Sequence, residues 1–495
     1  MRWINRFKYK EIFKKKINKK TYPKKILNEL IKNGENINNS QILRKKLIHE
    51  FFNNKNIPIH FVDHHITHAI YSFITAPKKL DKTLAFTADS MGDRGENSAV
   101  YLIKSGKIHK IFSSGKQNLG KLFRNITLLL GLKPYQHEYK VMGLAPYSPE
   151  FFNNQVVKIF RRYMSGFKKN WIFNKKPKDH YFLFQKELKG YRFDSIAGGL
   201  QAYFEEMLSE WFMYFVKKYK NIFNNIIFSG GLSMNVKANL KIQQIAKKYN
   251  KFFFAAPSAD DYAHCIGAIY TVKNQIYDYP LESNQIKNLN LGYEFSLSDE
   301  KRMIIWAKKN KWKISKYNHL KASKLLAQDK ILGLCHGSAE FGARSLGFRS
   351  IIADPSKQGN LKKINTQIKS RDFWMPFAPA IMSGKENLYL VDCDKDNSLF
   401  MACCNNTKEH KREHILAGIH PYDYTARPQI VRKNLNKKFY EIIKSFGKIT
   451  GRYALLNTSL NLHGYPIVNN SSDLIYLLEN SQLDGCILEN YIILR

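Results

Sequence analysis

The chain has 495 residues, 44% of them hydrophobic and 14% aromatic, a composition that excludes a disordered chain and is long enough for two or more packed domains. Its formal charge is +40, from 80 Lys+Arg against 40 Asp+Glu, but lysine is spread along the whole length with Asn, Ile, Phe and Tyr, so the charge does not by itself argue for nucleic acid. No apolar run approaches the roughly 18 residues needed to cross a bilayer, and none of the 6 cysteines forms a Cys-x-x-Cys pair, so the sequence reads as a cytoplasmic protein with free thiols.

Residues 1 to about 55 are rich in Lys and Asn, with Trp3, Phe7, Ile12, Phe13 and Ile17 at roughly helical spacing. Such a helix either docks on its own protein or lies on an anionic membrane. Next comes Val62-Asp63-His64-His65-Ile66-Thr67-His68-Ala69, in which His64 and His68 stand four residues apart and share one helical face. Two imidazoles so placed can grip one metal ion, although the same spacing also serves ordinary half-buried histidines. The acidic loop Pro257–His264, after the strand-like run Phe252-Phe253-Phe254, offers a carboxylate as a third ligand. Two His and one carboxylate would leave coordination positions open, as catalysis requires.

From Thr83 an apolar run leads into the acidic, glycine-bearing loop Asp89–Glu96, and the following run from Ser98 to Ile103 completes a predicted β-hairpin. A helix is expected from Leu200 to Lys220, then a strand at Ile226–Phe228, the turn Ser229-Gly230-Gly231, and a helix through Asn235 and Asn239. Strand, Gly-Gly turn and helix start aim backbone N–H groups at an anion. The polar stretch near 275–300 reads as a domain boundary. Beyond it, helices at about 301–310 and 320–328 precede the strand Ile331–Cys335, which opens into the Arg- and Gly-bearing loop His336–Ser350. With Lys369, Arg371, Arg427 and the run Asn457-Thr458-Ser459-Leu460-Asn461, this C-terminal part carries the donors of an anion site.

In order along the chain, these motifs resemble the NodU/CmcH-type carbamoyltransferases. The resemblance rests on Asp63-His64-His65 with His68-Ala69, on Glu138–Tyr147, and on Gly230-Gly231 with Asn235 and Asn239. It continues through Glu340-Phe341-Gly342 with Arg344, Leu346-Gly347 and Arg349-Ser350, then Pro376–Pro379, Arg427 with Gln429, and Asn457-Thr458-Ser459.

What the resemblance implies is an α/β (α+β) protein. Residues 56–285 would form an actin-like ATPase-type carbamoyl-transfer domain, and residues 286–495 a domain similar to threonylcarbamoyl-adenylate synthase, behind an atypical segment at 1–55. It further implies a carbamoyltransferase using ATP with Mg2+ and carbamoyl phosphate. The C-terminal domain would make carbamoyl-adenylate, and the N-terminal domain would pass the carbamoyl group to a hydroxyl of a sugar, glycan or secondary metabolite. By the same resemblance His64, His68 and Asp261 hold a divalent metal, Fe2+ in related enzymes, and Asp89 is the base or orienting group for the acceptor. Gly230, Gly231, Asn235, Arg344, Lys369, Arg427, Asn457 and Ser459 match the nucleotide and phosphate positions, and Arg349 matches a motif arginine of structural or ligand-binding role.

The chain departs from the family pattern in three places. The opening glycine-bearing strand and its His-Asp segment are missing, which would call for a partner chain or a rebuilt acceptor site. Met375 stands where the family has an arginine, and the metal loop reads Asp260-Asp261-Tyr262-Ala263 in place of Gly-Asp-x-Gly. Two other readings attach to the same sequence: a degenerate homologue acting as a binding subunit of a partner chain, and a tRNA-directed enzyme related to threonylcarbamoylation.

Overall fold

The computed structural model describes residues 37–175, 179–283 and 285–495. The apolar stripe read at Trp3 to Ile17 lies outside the described residues. The chain divides into two units, Met1–Val62 and Asp63–Arg495. In the first, the helix Ile37–Phe51 is followed by turns, and the His49 ring bonds to the Ile57 carbonyl at 3.1 Å.

The second unit is a mixed α/β body built on two principal sheets. The first sheet uses β1 (Thr83–Ala88), β2 (Ser98–Lys104), β3 (Lys107–Ser114), β6 (Asn225–Ser229) and β7 (Phe252–Ala255), in the order β3-β2-β1-β6-β7. A small ribbon, β4 (Met164–Phe167) with β5 (Trp171–Phe173), stands apart from it. β1 and β2 form the predicted hairpin, Thr83 opposite Ile103 and Ala88 opposite Ser98, while β6 runs parallel to β1 and β7 parallel to β6.

β1 is buried along its whole length because side chains alternate between two apolar layers. Leu84, Phe86 and Ala88 face the long helix Phe193–Tyr219, where Phe86 stacks on Phe212 with ring centroids 3.9 Å apart. Ala85 faces the other way, into the layer formed with the helix His64–Ile74. That helix packs on β1 and β6 and against the helix His264–Gln275. Its N-terminus therefore lies over the ends of β1 and β6, where the polar loops gather.

The second sheet comprises β8 (Lys313–Lys316), β9 (Leu332–Cys335), β10 (Arg349–Ala353), β11 (Ala378–Met382), β12 (Gln429–Val431), β13 (Ala454–Ser459), β14 (Gly485–Ile487) and β15 (Tyr491–Leu494), ordered β12-β11-β13-β10-β9-β14-β15-β8. The helices expected near 301–310 and 320–328 are Leu297–Lys309 and His319–Ala327. The stretch between the two sheets, from about 276 to 296, carries turns and one isolated bridge.

The two sheets are tied by side chains that reach backbone groups. Asn239 donates to the Ala402 carbonyl at 2.7 Å, His420 Nε2 donates to the Gly143 carbonyl at 2.8 Å, and Trp374 Nε1 donates to the Lys140 carbonyl at 3.2 Å. His420 Nδ1 accepts from the Tyr422 and Asp423 N–H groups, which leaves Nε2 as the protonated nitrogen. The Glu138–Tyr147 motif thus forms a joint between the sheets.

Candidate functional site

Asp63 caps the helix His64–Ile74 by accepting from the Ile66 N–H at 3.0 Å, and Asp93 accepts from the His64 N–H at 2.9 Å. With the first turn so fixed, helical pitch brings the His64 and His68 rings to 4.9 Å. His65, on another face, bonds Thr87 Oγ1 at 3.0 Å, and burial, with the His64 ring beside it, pushes it down to about 4.

After β7, Asp260 caps a short turn by accepting from the Tyr262 N–H at 3.2 Å, and the turn carries Asp261 toward the histidines. Asp261 Oδ1 lies 3.9 Å from His64 Nε2, 3.8 Å from His68 Nε2 and 3.2 Å from His264 Nε2. Asp89, at the end of β1, brings Oδ2 to 3.7 Å from His64 Nε2 and 3.5 Å from His68 Nε2.

The ligand atoms of His64, His68, Asp261 and His264 lie within 4.8 Å of one another. His64 Nε2 and His68 Nε2, which both face Asp89 and Asp261, are buried with no hydrogen-bond partner. An orphaned buried nitrogen costs about 1 to 3 kcal/mol, so two of them aimed at one point fit a bound cation. Imidazole and carboxylate donors suit iron, zinc or manganese. His264 was not singled out by sequence reasoning. The signal available was its place three residues after Asp261, at the start of a helix.

The electrostatics couple the same side chains to one another. Burial acts to raise the Asp89 carboxyl, but His64, His68 and the Gly231 N–H outweigh it and hold the group well below the usual carboxylate range. His68 is raised: burial opposes its charge, and Asp261 and Asp89 prevail.

The Gly-Gly turn adjoins the cluster. Gly230 has φ 93°, a conformation open to glycine, and its N–H donates to the Ala259 carbonyl at 2.8 Å. Gly231 donates to Asp89 Oδ2 at 3.0 Å. Asn235 caps the helix Val236–Lys248 and exchanges two hydrogen bonds with Gln201, at 2.8 and 3.0 Å.

The C-terminal cations divide into two kinds. Arg349 is fully buried and donates to the carbonyls of Tyr293, His336, Gly337 and Phe348, a structural use of the guanidinium. Lys369 is also buried, its ammonium bonded to Ser459 and Asn461 through both backbone and side-chain oxygens. Asn457 is spent on Ser345 and Gln429.

Arg344, Arg371 and Arg427, by contrast, form no ion pair with an acidic group among the described residues. Burial, then repulsion from Arg344 and Arg371, lowers the Arg427 guanidinium, and burial with Arg371 beside it brings Arg344 down to about 10. Arg371 lies over the Phe377 ring and donates to Thr458 Oγ1 at 3.3 Å. Met375 is buried with its sulfur against Gly143. The three guanidiniums crowd together and repel one another, with Asp260 the acidic group that acts on Arg344, and a positive field of this kind suits a polyanion.

Two family profiles match this chain: the carbamoyltransferase N-terminus over residues 7–270 and the carbamoyltransferase C-terminus over residues 323–495. The first takes in most of the basic N-terminal segment at 1–55. Among relatives, an uncharacterized protein of Methanocaldococcus jannaschii is 31% identical over 98% of this chain and 94% of its own length. Nodulation protein NolNO of Sinorhizobium fredii is 28% identical over 88% of this chain and 64% of its own. The 3'-hydroxymethylcephem-O-carbamoyltransferase of Streptomyces clavuligerus is 23% identical over 53% of this chain and 47% of its own. These matches lend no support to a separate chain that supplies N-terminal strands. The chain is a member of the carbamoyltransferase family, in its N-terminal and C-terminal parts alike.

Proposed function

We propose that this carbamoyltransferase uses ATP to convert carbamoyl phosphate to carbamoyl-adenylate in the C-terminal part, and transfers the carbamoyl group to an acceptor hydroxyl beside the histidine cluster. The observation that carries the reading is the contact between the two loops concerned. Ser258, in the loop that leads to Asp261, donates to the Phe341 carbonyl at 3.3 Å, in the loop that leads to Arg344. This contact supports a polyanion site beside the metal-ligand cluster, from which an activated intermediate has a short way to travel.

In this reading Arg344, Arg371 and Arg427 bind the ATP phosphates and carbamoyl phosphate. Carbamate, left when water takes the phosphate from carbamoyl phosphate, attacks the α-phosphate of ATP and pyrophosphate departs. Adenylation matters because carbamate is a poor electrophile and AMP a good leaving group. The acceptor oxygen then attacks the carbamoyl carbon, and AMP leaves. A divalent ion held by His64, His68 and Asp261 would supply positive charge for the departing phosphate.

Asp89 faces the same point. A carboxylate held so far below its usual range is a weak base. Its part is to accept a hydrogen bond from the acceptor hydroxyl and orient it, taking the proton as that hydroxyl acidifies during attack. The acceptor named for the cephem relative, a 3'-hydroxymethylcephem, supports an acceptor with a free hydroxyl, which in this reading is a small molecule or glycan.

Release of AMP and pyrophosphate by the purified protein tests the reading. Release that requires both ATP and carbamoyl phosphate supports it, and a folded protein that releases neither overturns it.

A further inference from the structure

We propose that His264 Nε2 is a fourth protein ligand of the metal centre, its ring held by Thr67, so that the chain binds its ion through three imidazoles and one carboxylate. The inference rests on the metal-centre reading above and adds a ligand to it.

Thr67 Oγ1 donates to the carbonyl of His64 at 2.7 Å, as a threonine one turn along a helix can. That hydroxyl has no second hydrogen, so toward His264 Nδ1, 2.5 Å away, it can only accept. The His264 proton therefore sits on Nδ1, and on the neutral ring Nε2 carries a bare lone pair.

This lone pair faces Asp261 Oδ1 at 3.2 Å. Two acceptors do not rest at that distance unless a cation lies between or beside them. A proton would satisfy this one pair. It would leave His64 Nε2 and His68 Nε2, both buried and without a donor, as they are. A metal ion answers all of them together.

Ring placement supports the assignment. The His264 ring centroid lies 4.3 Å from that of His64 and 4.2 Å from that of His68, so the three imidazoles surround one point from two helices. Metal-bound histidines commonly donate their second ring N–H to an oxygen that fixes tautomer and orientation, and Thr67 has that relation to His264. Thr67 is thus a positioning residue and His264 a ligand. A donor set of three imidazoles and a carboxylate favours Fe2+, Co2+, Ni2+ or Zn2+ over Mg2+ and Ca2+, which prefer oxygen.

The test is titration of the metal-free full-length protein with Co2+, read by its visible absorption and by competition with a chelator. Wild type, His264→Ala and Thr67→Val are compared, and thermal melting confirms that each is folded. We expect one Co2+ bound per wild-type chain, unaffected by excess Mg2+. In His264→Ala affinity falls at least tenfold and the absorption band changes; in Thr67→Val, which keeps the ring but removes its orienting oxygen, affinity falls about 10- to 100-fold. Should His264→Ala fail to fold, Thr67→Val alone decides. Unchanged affinity and spectrum in the folded variants overturns the role of His264 and leaves the His64, His68 and Asp261 centre standing. A wild-type protein that binds no Co2+ overturns both.

Discussion

Gly231 donates its backbone N–H to Oδ2 of Asp89 at 3.0 Å, so the glycine turn that is built to receive an anion receives a carboxylate of the chain itself. The Ser90 N–H holds the other oxygen at 2.6 Å. Asp89 is therefore kept ionised and pointed at His64 and His68 before any ligand arrives.

From this follows a separation of the two half-reactions. Asp89→Asn keeps the shape of the side chain and removes its charge, and carbamoyl transfer to a hydroxyl should fall by about 100-fold or more. AMP and pyrophosphate release, which the proposed function assigns to the C-terminal cations, should persist. Parallel assays of carbamoylated product and of AMP check this; equal loss of both would show that Asp89 serves adenylation as well.

The turn itself depends on Gly230. At φ 93° with ψ 165° its backbone is strained for any other residue, and a Cβ there would collide with the Ala88 carbonyl. Gly230→Ala should cost about 3 kcal/mol. Gly359→Ala is the contrast: it lies in the helix Gln358–Ile364 with open space at its Cβ, and should gain about 0.5 to 1 kcal/mol. Urea denaturation midpoints of the two variants should shift in opposite directions.

Function and stability should trade off at Arg427. Replacing it with methionine relieves the repulsion from Arg344 and Arg371, and should stabilise the free protein by about 1 kcal/mol at low salt, less at high salt. The lost charge-assisted contact, worth about 1.5 to 3 kcal/mol, should raise KM for ATP or carbamoyl phosphate about 10- to 100-fold. Melting curves with and without ATP separate these effects. A variant that is stabilised yet has unchanged KM would remove Arg427 from the phosphate site.

Asp299 gives a pH-dependent prediction away from the active centre. It accepts from Ser296 in the cap of the helix Leu297–Lys309, and from the N–H and hydroxyl of Ser471 at 2.9 and 2.7 Å, at the start of the helix Ser471–Glu479. Burial acts to raise this carboxyl, but the bonds from Ser471 and Ser296 bring it down to about 2, from an ordinary 3.8. Its folded value lies below its unfolded one, so its contribution is fully present above about pH 4 and is lost as pH falls toward 2. Asp299→Asn should lower stability at neutral pH by about 1 to 2 kcal/mol and flatten the acid limb of the stability curve. Denaturation at a series of pH values measures this; parallel acid limbs would refute it.

Local geometry explains which parts of the site were legible in the sequence. His64 and His68 are joined by one turn of helix, whose pitch sets their distance whatever surrounds it. The hairpin that carries Asp89 could be read in the same way, from alternation and a glycine-bearing loop. The strand–Gly-Gly–helix signal at Gly230 is equally local, yet it specifies only an anion. That the anion is Asp89 depends on β1 lying beside β6, which no short stretch of sequence reveals.

The sequence by itself determined the elements, the paired histidines and, through the order of its motifs, the carbamoyltransferase family. Only the tertiary structure decided where chemically identical side chains stand and what each one touches. Arg344 and Arg349 stand in one loop read from the sequence as a phosphate-handling surface, but Arg349 is buried against four carbonyls while Arg344 keeps company with other arginines. His264 and Thr67 lie far apart in the chain and meet because the helix His264–Gln275 packs against the helix His64–Ile74. Helix pitch and strand alternation are written in neighbouring residues, whereas burial and the partner of each polar atom belong to contacts between distant ones.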